Sequence, residues 1–418
     1  MLGNVRVNLI RFSLTFSFFF ALVAGLYGSY SSIANNYTNL STYWERPIKS
    51  VASANQKNND NKGHTLLGEF FLPNECGNCH SPQYKSWKTS LHARATGVGL
   101  TGQLRPHQDP AFASSCYFCH SPLLLASERI LEFNKETNAE TYVKNTSFKP
   151  KLKNAGISCA VCHLRQGQIY GSYSRTKDRK KTQKNKDNFF VTEKDFFSDS
   201  LFCAACHQLD NGYSPGDKPI INTYNEWLES PYSKDSKNKK TCQDCHMPKR
   251  EHSFLGIHDK KTVLKALTIK TNFNKKTRTA TLQITNSGVG HYFPTYTTPL
   301  VIVRGFFKDK RGETIEDSTI IKYIGREVTP DLLTELSDTR IAPLDTFTFT
   351  YDKAPTTRLG SIILEVQVLP DNYYNIFFTS ALKNKTYSVR EDIALALENT
   401  KSSPYILYRK EFKVQGVE

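Results

Sequence analysis

All ten cysteines of this 418-residue chain fall into one repeated string. Cys76, Cys79 and His80 form a Cys-x-x-Cys-His motif. The motif returns at Cys116/Cys119/His120, Cys159/Cys162/His163, Cys203/Cys206/His207 and Cys242/Cys245/His246. These residue types at this spacing attach haem covalently: two thiols add across the vinyl groups and the next residue offers an imidazole to iron. Zinc would need ligands gathered in fours from paired units. A redox dithiol explains one motif, and disulfides leave the trailing histidine unexplained. Five complete motifs therefore imply five covalently attached haem c groups, each iron held on its proximal side by His80, His120, His163, His207 or His246.

The second axial ligand decides whether a haem iron transfers electrons or binds substrate. Methionine is almost absent: only Met1 and Met247 occur, and Met247 adjoins His246, too close to fold back over the same haem. Six histidines remain, His64, His92, His107, His252, His258 and His291. His92 follows a tryptophan-containing segment. His252 and His258 stand six residues apart after the last motif, so they do not share a helix face and are assigned to different haems. His291 follows Gly290, where the missing side chain permits close backbone approach to a macrocycle. His64 follows Gly63 and is assigned to the fifth position, with His107, beside Pro106, as its alternative. A haem left without a protein sixth ligand would instead be a catalytic site.

The elements that must position these residues divide the chain. Residues 1–36 read as a signal peptide or an N-terminal membrane anchor: Arg6 and Arg11 precede an apolar run from Phe12 to Tyr27, and no charge follows until Glu45. Residues 37–63 are polar and read as a linker. Residues 64–260 are the pentahaem domain, whose motifs begin at residues 76, 116, 159, 203 and 242 without any wider repeat. One echo exists, Tyr84/Trp87/Ser90 against Tyr224/Trp227/Ser230, with His92 after the first copy and Tyr232 at the matching place after the second. Two basic stretches, 175–188 and 234–240, read as exposed loops. Residues 261–418 carry period-two alternation at Ala266–Phe273, Thr279–Thr285, Leu300–Phe307, Thr346–Tyr351 and Ser361–Val368, then a helix near Arg390–Glu398 and a strand near Tyr405–Phe412. The fold class expected is α+β: a mostly helical and loop-rich multihaem domain wrapped around five haems, followed by an antiparallel β-sandwich-like domain.

Composition agrees. Hydrophobic residues make up only 39% of the chain, a deficit that large apolar macrocycles would fill. The net charge of +16 would suggest nucleic acid. Two propionates per haem add roughly ten negative charges, which removes that argument. Nucleic acid is therefore not among the expected partners.

The segment Trp87-Lys-Thr-Ser90-Leu-His92-Ala93, and Cys242-Gln-Asp-Cys245-His246-Met247-Pro248 followed by His252 and His258, resemble multihaem cytochromes c. The likeness is to relatives of the nitrifiers' tetrahaem electron carrier. Gly290-His291-Tyr-Phe-Pro294-Thr295 is similar to a motif in the β-rich C-terminal part of some members. The resemblance runs from about His64 to the C-terminus. It implies electron transfer between redox partner proteins, in the periplasm or at the cell surface, by closely packed bis-histidine haems. Retention of the N-terminal segment would add inner-membrane association. The chain departs from the tetrahaem type in its fifth motif and added β domain. The competing readings are a multihaem reductase acting on a small nitrogen or sulfur oxyanion and an extracellular haem wire.

Overall fold

A Cys-x-x-Cys-His string is one helical turn long, so its cysteines at i and i+3 share a face and its histidine follows at i+4. The computed structural model describes residues 40–49, 72–104, 110–134, 139–172, 191–209, 214–329, 332–355, 358–383 and 390–414. In it four motifs lie on the helices Pro110–His120, Cys159–His163, Leu201–His207 and Cys242–His246. In the first motif Cys76 lies on Pro73–Gly77, and His80 caps the next helix, Ser81–Lys88. The last helix is started by Thr241, whose backbone N–H donates to Asp244 Oδ2 at 2.8 Å. The expected export segment at 1–36, His64, His107 and the basic stretch 175–188 lie outside the described residues. Among the described residues no helix is long and apolar enough to cross a membrane.

Strand pairing in this motif region is slight: a hairpin of β1 (Arg129–Asn134) with β2 (Ala139–Lys144), and a small sheet of β3 (Leu164–Arg165), β4 (Gln168–Gly171) and β5 (Val191–Glu193). Its apolar clusters are small, one around Ile48, Leu123, Leu152 and Val161, another around Leu40, Tyr43 and Phe202. These clusters correct the reading of 37–63 as a linker over residues 40–49. Leu40, Tyr43 and Ile48 are buried, and Ile48 bridges Leu123. The polar composition of the stretch conceals three large side chains spaced to pack.

The C-terminal region is built from β6 (Thr268–Asn274), β7 (Thr279–Thr285), β8 (Leu300–Asp309), β9 (Thr314–Val328), β10 (Glu335–Asp338), β11 (Thr346–Tyr351), β12 (Gly360–Leu369) and β13 (Tyr405–Val414). They form two antiparallel sheets, β11-β7-β6 and β10-β9-β8-β12-β13. Period-two alternation aims one face of each sheet at a shared core. Leu282, Ile284, Phe349 and Tyr351 enter it from the first sheet, and Val301, Val303, Ile324, Leu364 and Val366 from the second. The sequence pattern omits β9, β10 and the helix Asn372–Lys383. In β9 the doublet Ile320–Ile321 breaks alternation, and its partner β8 carries a bulge between Gly305 and Phe307. The helix reads as an aromatic cluster, yet Phe378 and Ala381 pack on Ile393, Ala396 and Leu397 of the helix Arg390–Ser402.

Arg326 and a pair of helices are among the contacts that fasten the C-terminal region to the motif region. The Arg326 guanidinium, its side chain fully buried, donates to the carbonyls of Pro215, Lys218 and Pro219. The helix pair sits on the turn after His92: Thr101 donates to Asp392 at 2.7 Å, and a Cβ at Gly102 would lie 3.3 Å from Phe378.

Candidate haem-binding sites

Three histidines proposed as distal ligands face motif histidines from other parts of the chain. His92 stands 6.2 Å from His207, His252 stands 6.2 Å from His163, and His291 stands 6.3 Å from His246, measured between ring centroids. Two imidazoles bound to one metal through nitrogens at about 2 Å, each ring centre roughly 1 Å further back, have centroids roughly 6 Å apart. The rings of the third pair are nearly parallel, at 9°, and those of the other two are inclined by 45° and 41°.

Six histidine rings are also oriented from behind. His120, His163 and His246 place Nδ1 2.8 Å from the carbonyls of Ala95, Tyr170 and Leu255. His291 does the same with Tyr292 at 2.8 Å and His252 with Arg250 at 2.9 Å. His207 bonds the Tyr296 hydroxyl instead. An Nδ1–H held by an acceptor leaves Nε2 as the ligating atom. Burial favours the neutral form, as a metal ligand requires, at several of the rings. It lowers His92 to about 3, helped by His207, and lowers His163, His207 and His291 to about 4.

Local structure explains how the ligands arrive. Lys249, Arg250 and Phe254 adopt positive φ, reversing the chain after the last motif so that the His252 backbone N–H reaches Ser86 Oγ at 2.9 Å. Phe254 then packs on His92, with centroids 4.2 Å apart. The tryptophan echo has a structural meaning. Trp87 donates to the carbonyl of Ile157 at 2.8 Å and Trp227 to that of Lys240 at 2.9 Å, so each clamps the chain two residues before a motif. Gly290 is needed for Trp227, since a Cβ there would lie 3.0 Å from its ring. The close approach read from Gly290 is thus to an indole.

The motif cysteines are neighbours across motifs. The thiols of Cys76 and Cys159, of Cys119 and Cys206, and of Cys203 and Cys242 lie close enough to perturb one another's ionisation. The first motif therefore adjoins the third, and the fourth adjoins the second and the fifth. Among the described residues three buried side-chain N–H donors lack an acceptor in the protein: Trp44 Nε1, Arg46 Nε and Arg165 Nη2. Arg46 lies over the Phe118 ring at 3.7 Å, with Nη2 3.2 Å from Cys206 Sγ, between the second and fourth motifs. Orphaned donors beside paired thiols and facing imidazoles fit haem, whose propionates are acceptors. Among the described residues no three His, Cys, Asp or Glu side chains converge as a bare metal ion would require.

Other expected ligands are placed differently. Among the described residues His258 is in no facing pair; its Nε2 lies 3.0 and 3.1 Å from the Asp371 carboxylate oxygens, leaving Nδ1 as its open nitrogen. Among the described residues no imidazole faces His80 or His120 at the pair spacing. His64 and His107, the remaining candidates, lie outside the described residues. Tyr296, Asp371 and Arg46 were not singled out from sequence. Of these only Tyr296 had a nearby signal, the Gly-His-x-x-Pro-Thr segment that precedes it.

Residues 75–164 match the family model described as cytochrome c554 and c-prime. The fold is similar to the crystal structure of a penta-heme cytochrome c552 from Thermochromatium tepidum, with a TM-score of 0.53 and 17% identity over 81% of this chain and 97% of that one. No curated protein sequence matches.

Proposed function

We propose that this multihaem c-type cytochrome is an electron carrier holding five covalent haems, with no reaction of its own at the irons. The observation that carries this reading is the three imidazole pairs, separated as two ligands of one iron are. Haem supplies a one-electron couple at such a pair. The protein's part is to hold both imidazoles in place and in orientation, so that little rearranges when the charge changes. The neighbouring thiols support an order in which the first motif neighbours the third, while the fourth stands between the second and the fifth. We read the two sheets as a β-sandwich that contributes His291 as a ligand and binds no haem of its own.

A second reading has its own support. His80 and His120 have no facing imidazole among the described residues, and Asp371 engages Nε2 of His258. One open iron there would suit a reductase of a small nitrogen or sulfur oxyanion. Haem quantitation should give five per polypeptide, and four or fewer would defeat the proposal. Oxidised protein should show only low-spin ferric signals, and reduced protein should bind no carbon monoxide. A stoichiometric high-spin signal with carbon monoxide or nitrite binding would put the reductase reading in its place.

The proposed location is the periplasmic side of the inner membrane, soluble or anchored, with redox proteins as donor and acceptor. The basic N-terminus and the apolar run after it support export. Recovery of holoprotein in the cytoplasm would overturn it, and fractionation with a salt wash separates the soluble form from the anchored one.

A further inference from the structure

Five of the six paired imidazoles are held by a hydrogen bond at Nδ1: His163 by Tyr170, His207 by Tyr296, His246 by Leu255, His252 by Arg250 and His291 by Tyr292. His92 has no such bond among the described residues. An imidazole held at one nitrogen alone can turn about that bond, so another contact must set the plane of His92. The Phe254 ring is placed to do so, its centroid 4.2 Å away and its plane inclined by 50°. The same ring meets His252 edge-on, at 5.8 Å and 82°.

The geometry of the pairs follows the placement of this ring. His92 is inclined by 45° to His207, and His252 by 41° to His163. Both inclined pairs contain an imidazole that Phe254 touches. His246 and His291, which have no Phe254 ring contact among the described residues, are within 9° of parallel. The backbone shows what placing the ring requires. Phe254 has a φ of 48°, a region that a bulky side chain rarely adopts. Such a conformation persists only where its surroundings hold it. Here the turn lets four consecutive residues serve three sites: His252 faces His163, Phe254 packs on His92, and the Leu255 carbonyl anchors His246.

We propose that Phe254 sets the angle between the imidazole planes at the iron shared by His92 and His207, and in smaller measure at that of His252 and His163. The effect at His252 is smaller because the Arg250 carbonyl already restrains that ring. Phe254 is a positioning residue, acting through the ligands as an outer-shell group does. The angle between the planes decides which iron orbitals both imidazoles share. Sites with identical ligands are thereby made unequal, so that haems of the same His/His type are distinguishable within one molecule.

The inference rests on the reading that His92 and His207 ligate one haem, and the test separates the two. The largest g value of a low-spin ferric haem with two imidazoles depends on the angle between their planes. Electron paramagnetic resonance of the oxidised holoprotein, after haem quantitation, is therefore the readout. His92→Ala, His252→Ala and His291→Ala each identify one haem by converting its signal to high spin. Phe254→Gly removes the ring and leaves a residue suited to positive φ. Phe254→Leu keeps most of the apolar volume, for use if Phe254→Gly fails to mature, and Phe254→Tyr keeps the ring. Phe254→Gly should shift the His92–His207 signal most, the His252–His163 signal less and the His246–His291 signal not at all. Phe254→Leu should move the same haem by less, and Phe254→Tyr should retain the wild-type values. Spectra of Phe254→Gly and Phe254→Leu superimposing on wild type would overturn the inference. So would a high-spin signal in Phe254→Gly, since the ring would then hold the ligand in place and not set its plane. A Phe254→Tyr spectrum displaced as far as that of Phe254→Gly would overturn it as well. A His92→Ala spectrum that stays wholly low-spin would overturn the underlying reading instead.

Discussion

The two halves of this molecule fill their interiors with different material. In the C-terminal region Val301, Val303, Ile324, Leu364 and Val366 are fully buried in a core made of the chain's own side chains. In the motif region the described histidines and the cysteines are half-buried or exposed, several buried N–H donors lack acceptors, and the apolar clusters are small and separate. An arginine nitrogen buried without an acceptor is costly by itself. Such donors and half-covered imidazoles make sense around a macrocycle with an iron at its centre and carboxylates at its edge. One region can fold on hydrophobic burial, while the other needs its cofactors to complete a core.

The largest consequence is for folding without haem. Chain produced with the ten motif cysteines replaced by alanine should keep the C-terminal β-structure and lose order in the motif region. Limited proteolysis with fragment mass analysis should then leave a resistant core beginning near residue 260. Proteolysis spread evenly along the chain would show that the two regions are not separable in this way.

The next effect concerns His291, the ligand that the C-terminal region would lend on the proposed reading. His291→Ala should convert a single low-spin haem to high spin, because His246 would lose the imidazole stacked opposite it. The remaining signals should persist, since His92 and His252 arise within the motif region. An unchanged electron paramagnetic resonance spectrum would reduce His291 to a packing residue.

A smaller effect lies at the joint. Burial works to raise the Asp338 carboxyl, but hydrogen bonds from Arg340 and Lys218 overcome it and hold the group well below the usual carboxylate range. A carboxyl depressed by folding adds stability that is fully present above its unfolded value, about 3.9, and is lost as pH falls toward its folded value. Asp338→Asn should therefore cost about 1–3 kcal/mol near neutral pH. The deficit should shrink as the medium is acidified below about pH 4. Denaturant melts at pH 7 and pH 3 would check this, and a deficit that persists undiminished at pH 3 would show that shape, not charge, is lost.

What could be read from the chain alone was whatever a few adjacent residues complete among themselves. Covalent attachment needs two thiols and an imidazole within five residues, so the five motifs declared themselves. Alternation is equally local, and β7 and β11 appear with the bounds the pattern suggested, Thr279–Thr285 and Thr346–Tyr351. The histidine inventory narrowed the distal ligands but could not pair them. Whether His92 meets His207 or His163 depends on how helices pack, and pairing is a property of three-dimensional distance. Tyr296 is 89 residues from His207 and Thr223 is 72 from Thr295, separations at which no spacing rule operates. Polar composition likewise concealed Leu40, Tyr43 and Ile48, because burial depends on what the rest of the chain brings against a side chain. Motif chemistry is written in neighbouring residues; ligand pairs and orphaned donors exist only once distant segments have converged.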